Sequence, residues 1–99
     1  MYDESLEDDV AEAIASTHPD RAVVIWKDLA ETEIARVKPR GYQEAVPYLR
    51  QVRDVLTRSG REGEWQGYLA ALRQQNRRRP RCIEELDRLE GGRRRIMDG

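Results

Sequence analysis

Cys82 and His18 are the only cysteine and the only histidine in the 99-residue chain, and they lie far apart in it. A structural zinc takes about four Cys or His ligands, so this sequence assembles no metal set. Nucleophilic catalysis needs an activated Cys, Ser or Thr beside a base, and no such motif surrounds Cys82. Its neighbours Arg79 and Arg81 would favour the thiolate, so Cys82 is expected either as a small packing residue on a helix or as an exposed, reactive thiol. The pair Gly60 and Gly63 lacks the preceding strand and the following Lys-Ser/Thr of a phosphate loop. Paired acids, Asp8-Asp9 and Glu84-Glu85, suit the solvated faces of helices. Glu84 and Arg88 have the i,i+4 spacing of a surface ion pair worth about 0.3 kcal/mol. No catalytic, cofactor-binding or metal residue emerges, and the chain is expected not to be an enzyme.

The arginine cluster carries more information. Arg77, Arg78, Arg79 and Arg81 surround a helix end, and Arg93, Arg94 and Arg95 follow near the C-terminus. Cations there offset the negative end of a helix dipole, or they contact an acidic partner or neutralise phosphates in a salt-sensitive, sequence-independent way. Net charge is only -1 because the first twenty residues hold seven acids (Asp3, Glu4, Glu7, Asp8, Asp9, Glu12 and Asp20) and no Lys or Arg. That acidic start competes for the same arginines and differs in charge from a secretory leader.

Hydrophobic and charged residues are nearly balanced, 38% against 37%, and Phe is absent. Short amphipathic helices use such a balance better than a two-sheet core. Apolar residues recur every three or four positions in five segments. Residues 3–17 carry Leu6, Val10, Ala13 and Ile14. Residues 20–37 carry Ala22, Ile25, Trp26, Leu29, Glu33, Ile34 and Val37 on that stripe, opened by a Thr17/Asp20 capping pattern and Pro19. Lys38-Pro39-Arg40-Gly41 is expected to stop this helix, with Gly41 accepting a reversed backbone angle. Residues 42–59 carry Tyr42, Ala45, Val46, Leu49, Val52 and Leu56, are bent or loosened at Pro47, and end at a left-handed Gly60. Residues 61–79 carry Trp65, Tyr68, Leu69 and Leu72, with Gln66, Arg73 and Gln74 pointing away. Residues 81–90 carry Ile83, Leu86 and Leu89. Residues 91–99 are expected as a flexible basic tail.

Short connections make successive helices antiparallel. The Trp26, Leu29-Ala30 and Trp65, Tyr68-Leu69 faces, each opening a helix pair, hint at a two-helix repeat. The fold class expected is therefore all-α, four to five antiparallel helices in a helix-pair array or small bundle. No apolar run approaches the roughly 20 residues of a membrane span, and a cytoplasmic location is the default.

From His18-Pro19 through Trp26, Leu29-Ala30, Tyr42, Ala45, Tyr48-Leu49-Arg50 and Gly60, then Glu64-Trp65, Tyr68-Leu69, Leu72-Arg73 and Arg77-Arg78-Arg79, the sequence resembles the C-terminal helical region of bacterial SWIM-type zinc-finger proteins. The resemblance spans roughly residues 15–90 and implies a tetratricopeptide-like array cut from a longer protein. It carries no zinc ligand, because the C-x-C and C-x-H motifs of that family are absent here.

The function expected is a non-catalytic interaction or scaffold module. Trp26, Leu49, Trp65, Tyr68, Leu69 and Leu72 would form its core or line its groove. The partner would be another protein, the rest of a parent chain or, through an exposed apolar end, a second copy. The alternative is an accessory nucleic-acid-binding domain acting through Arg77, Arg78, Arg79 and Arg81.

Overall fold

Two helices of the middle of the chain meet so closely that a single methyl group would not fit between them. Gly41 sits where an added Cβ would lie 2.4 Å from the carbonyl oxygen of Glu33. This contact seats the second helix on the third. In the computed structural model, which describes the backbone of residues 4–98 and the side chains of residues 7–89, the elements are α1 (Glu4–Ile14), α2 (Pro19–Ala35), α3 (Pro39–Arg58), α4 (Glu62–Gln75) and α5 (Pro80–Asp98). The fold is all-α, and no strand occurs among the described residues.

Each helix starts or stops for a local reason. Pro19, Pro39 and Pro80 occupy the first turns of α2, α3 and α5, where a missing N–H costs no hydrogen bond. Lys38-Pro39-Arg40-Gly41 is thus the start of α3 as much as the end of α2, and α3 opens three residues before the periodicity predicts. The reversed angle falls on Val37 (φ 52°), not on Gly41. Gly41 lies inside α3, where its lack of a side chain permits the close approach to Glu33. Gly60 (φ 72°) does close α3 as expected. Its N–H donates to the Thr57 carbonyl and that of Arg61 to the Leu56 carbonyl, the paired bonds of a Schellman cap.

The capping pattern before α2 is not used. His18 holds the cap position without a side-chain bond to the helix N–H groups, and the Thr17 hydroxyl lies 3.3 Å from the Ile14 carbonyl and 2.9 Å from the His18 Nδ1. α5 stays helical in backbone to Asp98 instead of ending near Glu90; Gly91-Gly92 weakens a helix by about 1 kcal/mol per residue but does not forbid it. The flexibility expected of residues 91–99 concerns side chains outside the described residues.

The core is one cluster. Ala22, Val23, Trp26, Leu29, Ala30 and Ile34 of α2 face Tyr42, Ala45, Val46, Leu49, Val52, Val55 and Leu56 of α3, and Trp65, Leu69 and Leu72 of α4 join Cys82, Leu86 and Leu89 of α5 in the same cluster. α3 touches α2, α4 and α5. The stripe on α1 is turned from its expected position: Ala11 is buried, whereas Val10 is 44% exposed. The cause is Asp8, expected in water, which accepts a 2.7 Å hydrogen bond from the Trp26 indole Nε1 and so fixes which side of α1 meets α2.

α1 and α3, and likewise α2 and α4, run in the same direction and meet through side chains. Asp20 and Glu31 of α2 bond Arg61 at the cap of α4 and Tyr68 within it, in the same order along both helices. Asp8 of α1 and Ala15 just beyond its end lie by Tyr48 and Val55 of α3, again in one direction.

Gly41→Ala is expected to lower stability by about 1–3 kcal/mol through overpacking against backbone. Val37→Gly should raise it, because a β-branched residue in the left-handed region costs about 1–2 kcal/mol and this side chain is 51% exposed. Thermal melts of the two variants, moving in opposite directions, check both.

Candidate functional site

Charged side chains concentrate in three places on the helical frame. The first is a strap joining α2 to α4. Arg61, at the cap of α4, holds Glu64 with both arms of its guanidinium, at 2.6 and 2.8 Å, and reaches across to Asp20. Further along, the Tyr68 hydroxyl donates to Glu31 at 2.6 Å. The Lys27 ammonium lies 4.4 Å from the Tyr68 ring centroid, and the ring is tilted against Trp65 at 6.4 Å. The hydrogen bond from Arg61 holds the Glu64 carboxyl below its ordinary range. Burial, reinforced by the bond to Glu31, pushes the Tyr68 phenol up, so it remains a donor across the neutral range.

The second is one pole of the bundle, where the C-terminal ends of α2 and α4 come together. Ile34 and Ala35 share a recess with Leu72, Gln75, Asn76 and Arg79. Arg36, Lys38 and Arg40 follow on the α2–α3 turn, and Arg77, Arg78, Arg79 and Arg81 on the α4–α5 turn. Arg36 pairs with buried Glu33 at 3.0 Å. Arg40 stands 3.7 Å from Glu44 and is almost wholly exposed. Arg79 is half-buried and donates to the Asn76 side-chain oxygen at 2.9 Å, while the Asn76 amide nitrogen donates to the Leu72 carbonyl, which satisfies a buried Asn at the end of α4. Lys38, Arg77, Arg78 and Arg81 are exposed.

The third is the outward ridge of α3. Gln43, Glu44, Pro47 and Tyr48 line a shallow recess with Asp8 of α1, and Gln51, Arg53, Asp54, Thr57 and Arg58 line another with Glu62 of α4. Arg53 donates to the Leu89 carbonyl at 2.9 Å, which ties the ridge to α5.

The residues singled out by sequence separate into two groups. Trp26, Leu49, Trp65, Leu69 and Leu72 are buried, Leu72 at the floor of the recess between α2 and α4, whereas Tyr68 is half-buried at the strap. Of the arginines, Arg77, Arg78 and Arg81 are open, and Arg79 is spent partly on Asn76. Arg73 does not point away: it bridges α4 to Asp87 of α5 at 2.5 Å. Arg88 pairs with Glu85 at 3.3 Å, one residue from the expected Glu84. The cations of the α2–α3 turn were hidden by reading that stretch only as a helix stop. Their signal is the order Arg-x-cation-Pro-Arg, shared by Arg36-Val37-Lys38-Pro39-Arg40 and Arg77-Arg78-Arg79-Pro80-Arg81.

Cys82 is 1% exposed and packs in the core. Burial pushes its thiol up, with Arg79 opposing and Glu85 reinforcing, so the activation by arginine expected from sequence is outweighed. No group of three or more His, Cys, Asp or Glu able to hold a metal ion gathers among the described residues. No helix there is long and apolar enough to cross a membrane. The chain matches no family model, no curated protein and no solved structure.

Two outcomes follow from these geometries. Cys82 should react with a thiol reagent only as fast as the fold opens, and at once in denaturant; rapid labelling of the folded protein would contradict its burial. Because the folded Glu64 carboxyl titrates below the ordinary 4.5 of a glutamate, its contribution is fully present above that value and is lost as pH falls through the depressed one. The melting temperatures of the wild type and Glu64→Gln should therefore differ at neutral pH and converge in acid.

Proposed function

We propose that the chain is a non-catalytic helical interaction module, and that the outward ridge of α3 is the surface it presents. α1 and α3, and α2 and α4, run in the same direction, as alternate helices do in arrays of helix pairs, and such arrays bind partners along the surface that one set of helices shares. The observation that carries the reading is the ridge itself. Gln43, Glu44, Pro47, Tyr48, Gln51, Asp54 and Arg58 recur at helical spacing between the flanking recesses, and Tyr48 is half-buried among polar neighbours. An aromatic ring with a polar rim is a common anchor for a partner segment.

The partner that fits this reading is a protein segment or the remainder of a parent chain. The resemblance to the C-terminal region of SWIM-type zinc-finger proteins supports the second, and a cytoplasmic setting accords with both. The parent-chain reading is tested by the genomic frame upstream of Met1, where C-x-C and C-x-H zinc-ligand motifs are expected; a frame without them removes it.

The ridge is tested separately. A photoreactive residue at Tyr48 or Gln51 is expected to crosslink to a discrete partner in cells, and the same group at Val24, 65% exposed on α2, is not. Equal labelling at all three sites would remove the ridge as the interaction surface.

A further inference from the structure

The fold brings together two turns that the sequence keeps far apart, and both carry the same basic order. Residues 36–41 and 76–81 contain seven Lys or Arg and no acid. In each turn a cation immediately precedes the helix-opening proline and an arginine follows it: Lys38-Pro39-Arg40 opens α3, and Arg79-Pro80-Arg81 opens α5. Since α2 and α4 run in the same direction, from Asp20 beside Arg61 to Ala35 beside Gln75, both turns occupy one pole of the bundle.

The geometry points to this pole as a binding face for the phosphate backbone of a nucleic-acid duplex. Cations outnumber acids where the pole meets water, with half-exposed Glu44 the acid that shares its recess with Lys38 and Arg40. Glu33 is buried beneath Arg36, and Glu44 faces Arg40 only at 3.7 Å. Lys38, Arg77, Arg78 and Arg81 enter no ion pair among the described residues and stand exposed. Arg79, held by Asn76, fixes the second turn while leaving its neighbours open.

The negative ends of the α2 and α4 dipoles meet the positive ends of α3 and α5 at this pole and offset them, so the side-chain cations set the field. Neither turn holds an aromatic residue. Unstacked single strands are gripped by aromatic platforms, whereas a duplex presents its phosphates outward and asks only for cations. The interface is therefore sequence-independent, and it uses both turns instead of the Arg77 to Arg81 cluster alone.

The test is fluorescence anisotropy of a labelled 20-base-pair (about two helical turns) DNA duplex with the full chain across a salt series. Four open cations predict a slope of log affinity on log salt of roughly -3 to -4, or about a hundredfold loss between about 50 and 200 mM salt. Replacing Lys38 and Arg40 by alanine should reduce the slope by about 1–2, and replacing Arg77, Arg78 and Arg81 by about 3. Replacing Arg21 and Arg50, exposed away from the pole, should leave it unchanged. All these side chains are exposed, and circular dichroism of each variant is expected to match the wild type.

The proposal is overturned if no duplex binding occurs at about 50 mM salt, or if a single strand binds as tightly as the duplex. It is equally overturned if anionic phosphatidylserine vesicles bind where the duplex does not, if the Lys38/Arg40 change has no effect, or if the Arg21/Arg50 change weakens binding as much as the first-turn change. These results leave the α3 ridge untouched, so the two surfaces stand or fall separately.

Discussion

Everything in this fold is referred to the seam between α2 and α3. Gly41 lets the two backbones close to a distance at which Glu33 and the first turn of α3 are in contact. From there the seam fills with side chains of graded size: Ala30, Ala45 and Val46 alongside Trp26, Leu29 and Leu49. Close packing of this kind transmits position, because a side chain with no free volume around it cannot turn without moving its neighbours. α4 and α5 are placed by the far side of α3, and α1 by the near side of α2. The direction of every helix then follows from four short turns.

Polar interactions act on this frame as selectors of rotation more than as sources of stability. The Trp26 indole needs an acceptor once it is buried, and Asp8 supplies it from α1. Arg73 and Asp87 set α5 against α4. The Arg61, Asp20 and Glu64 cluster is exposed to solvent, where ion pairs contribute little individually. Its geometric role is to keep α2 and α4 aligned with long side chains where their backbones do not touch closely, and that alignment carries the basic turns to the same pole.

Much of the architecture was legible in the sequence because it rests on periodicity and on residues with few options. The stripes of α3 and α4 are continuous and apolar, Pro19 opens a helix, and Gly60 can adopt an angle other residues avoid. What was illegible depends on tertiary contacts. Val37 takes the left-handed conformation at the end of α2 because the next residues must enter α3 immediately, and nothing in its side chain announces this. Gly41 looked like a turn glycine and is a packing glycine. The rotation of α1 depends on one long-range hydrogen bond, so its stripe could be read a full residue off. The surfaces were harder still. The α4–α5 arginines stand out as a run, whereas Arg36, Lys38 and Arg40 are spaced among Val37 and Pro39, and only the third dimension adds them to the same face.

The two indoles give the molecule an internal optical gauge. Trp26 is capped by a carboxylate that belongs to the first helix, and Trp65 sits beside Tyr68 on the other flank of the bundle. Were the first helix to lift away, one chromophore would lose its charged neighbour and meet water while the other kept its surroundings. The emission spectrum thus separates a loosening of the amino-terminal layer from collapse of the whole, without any label being attached.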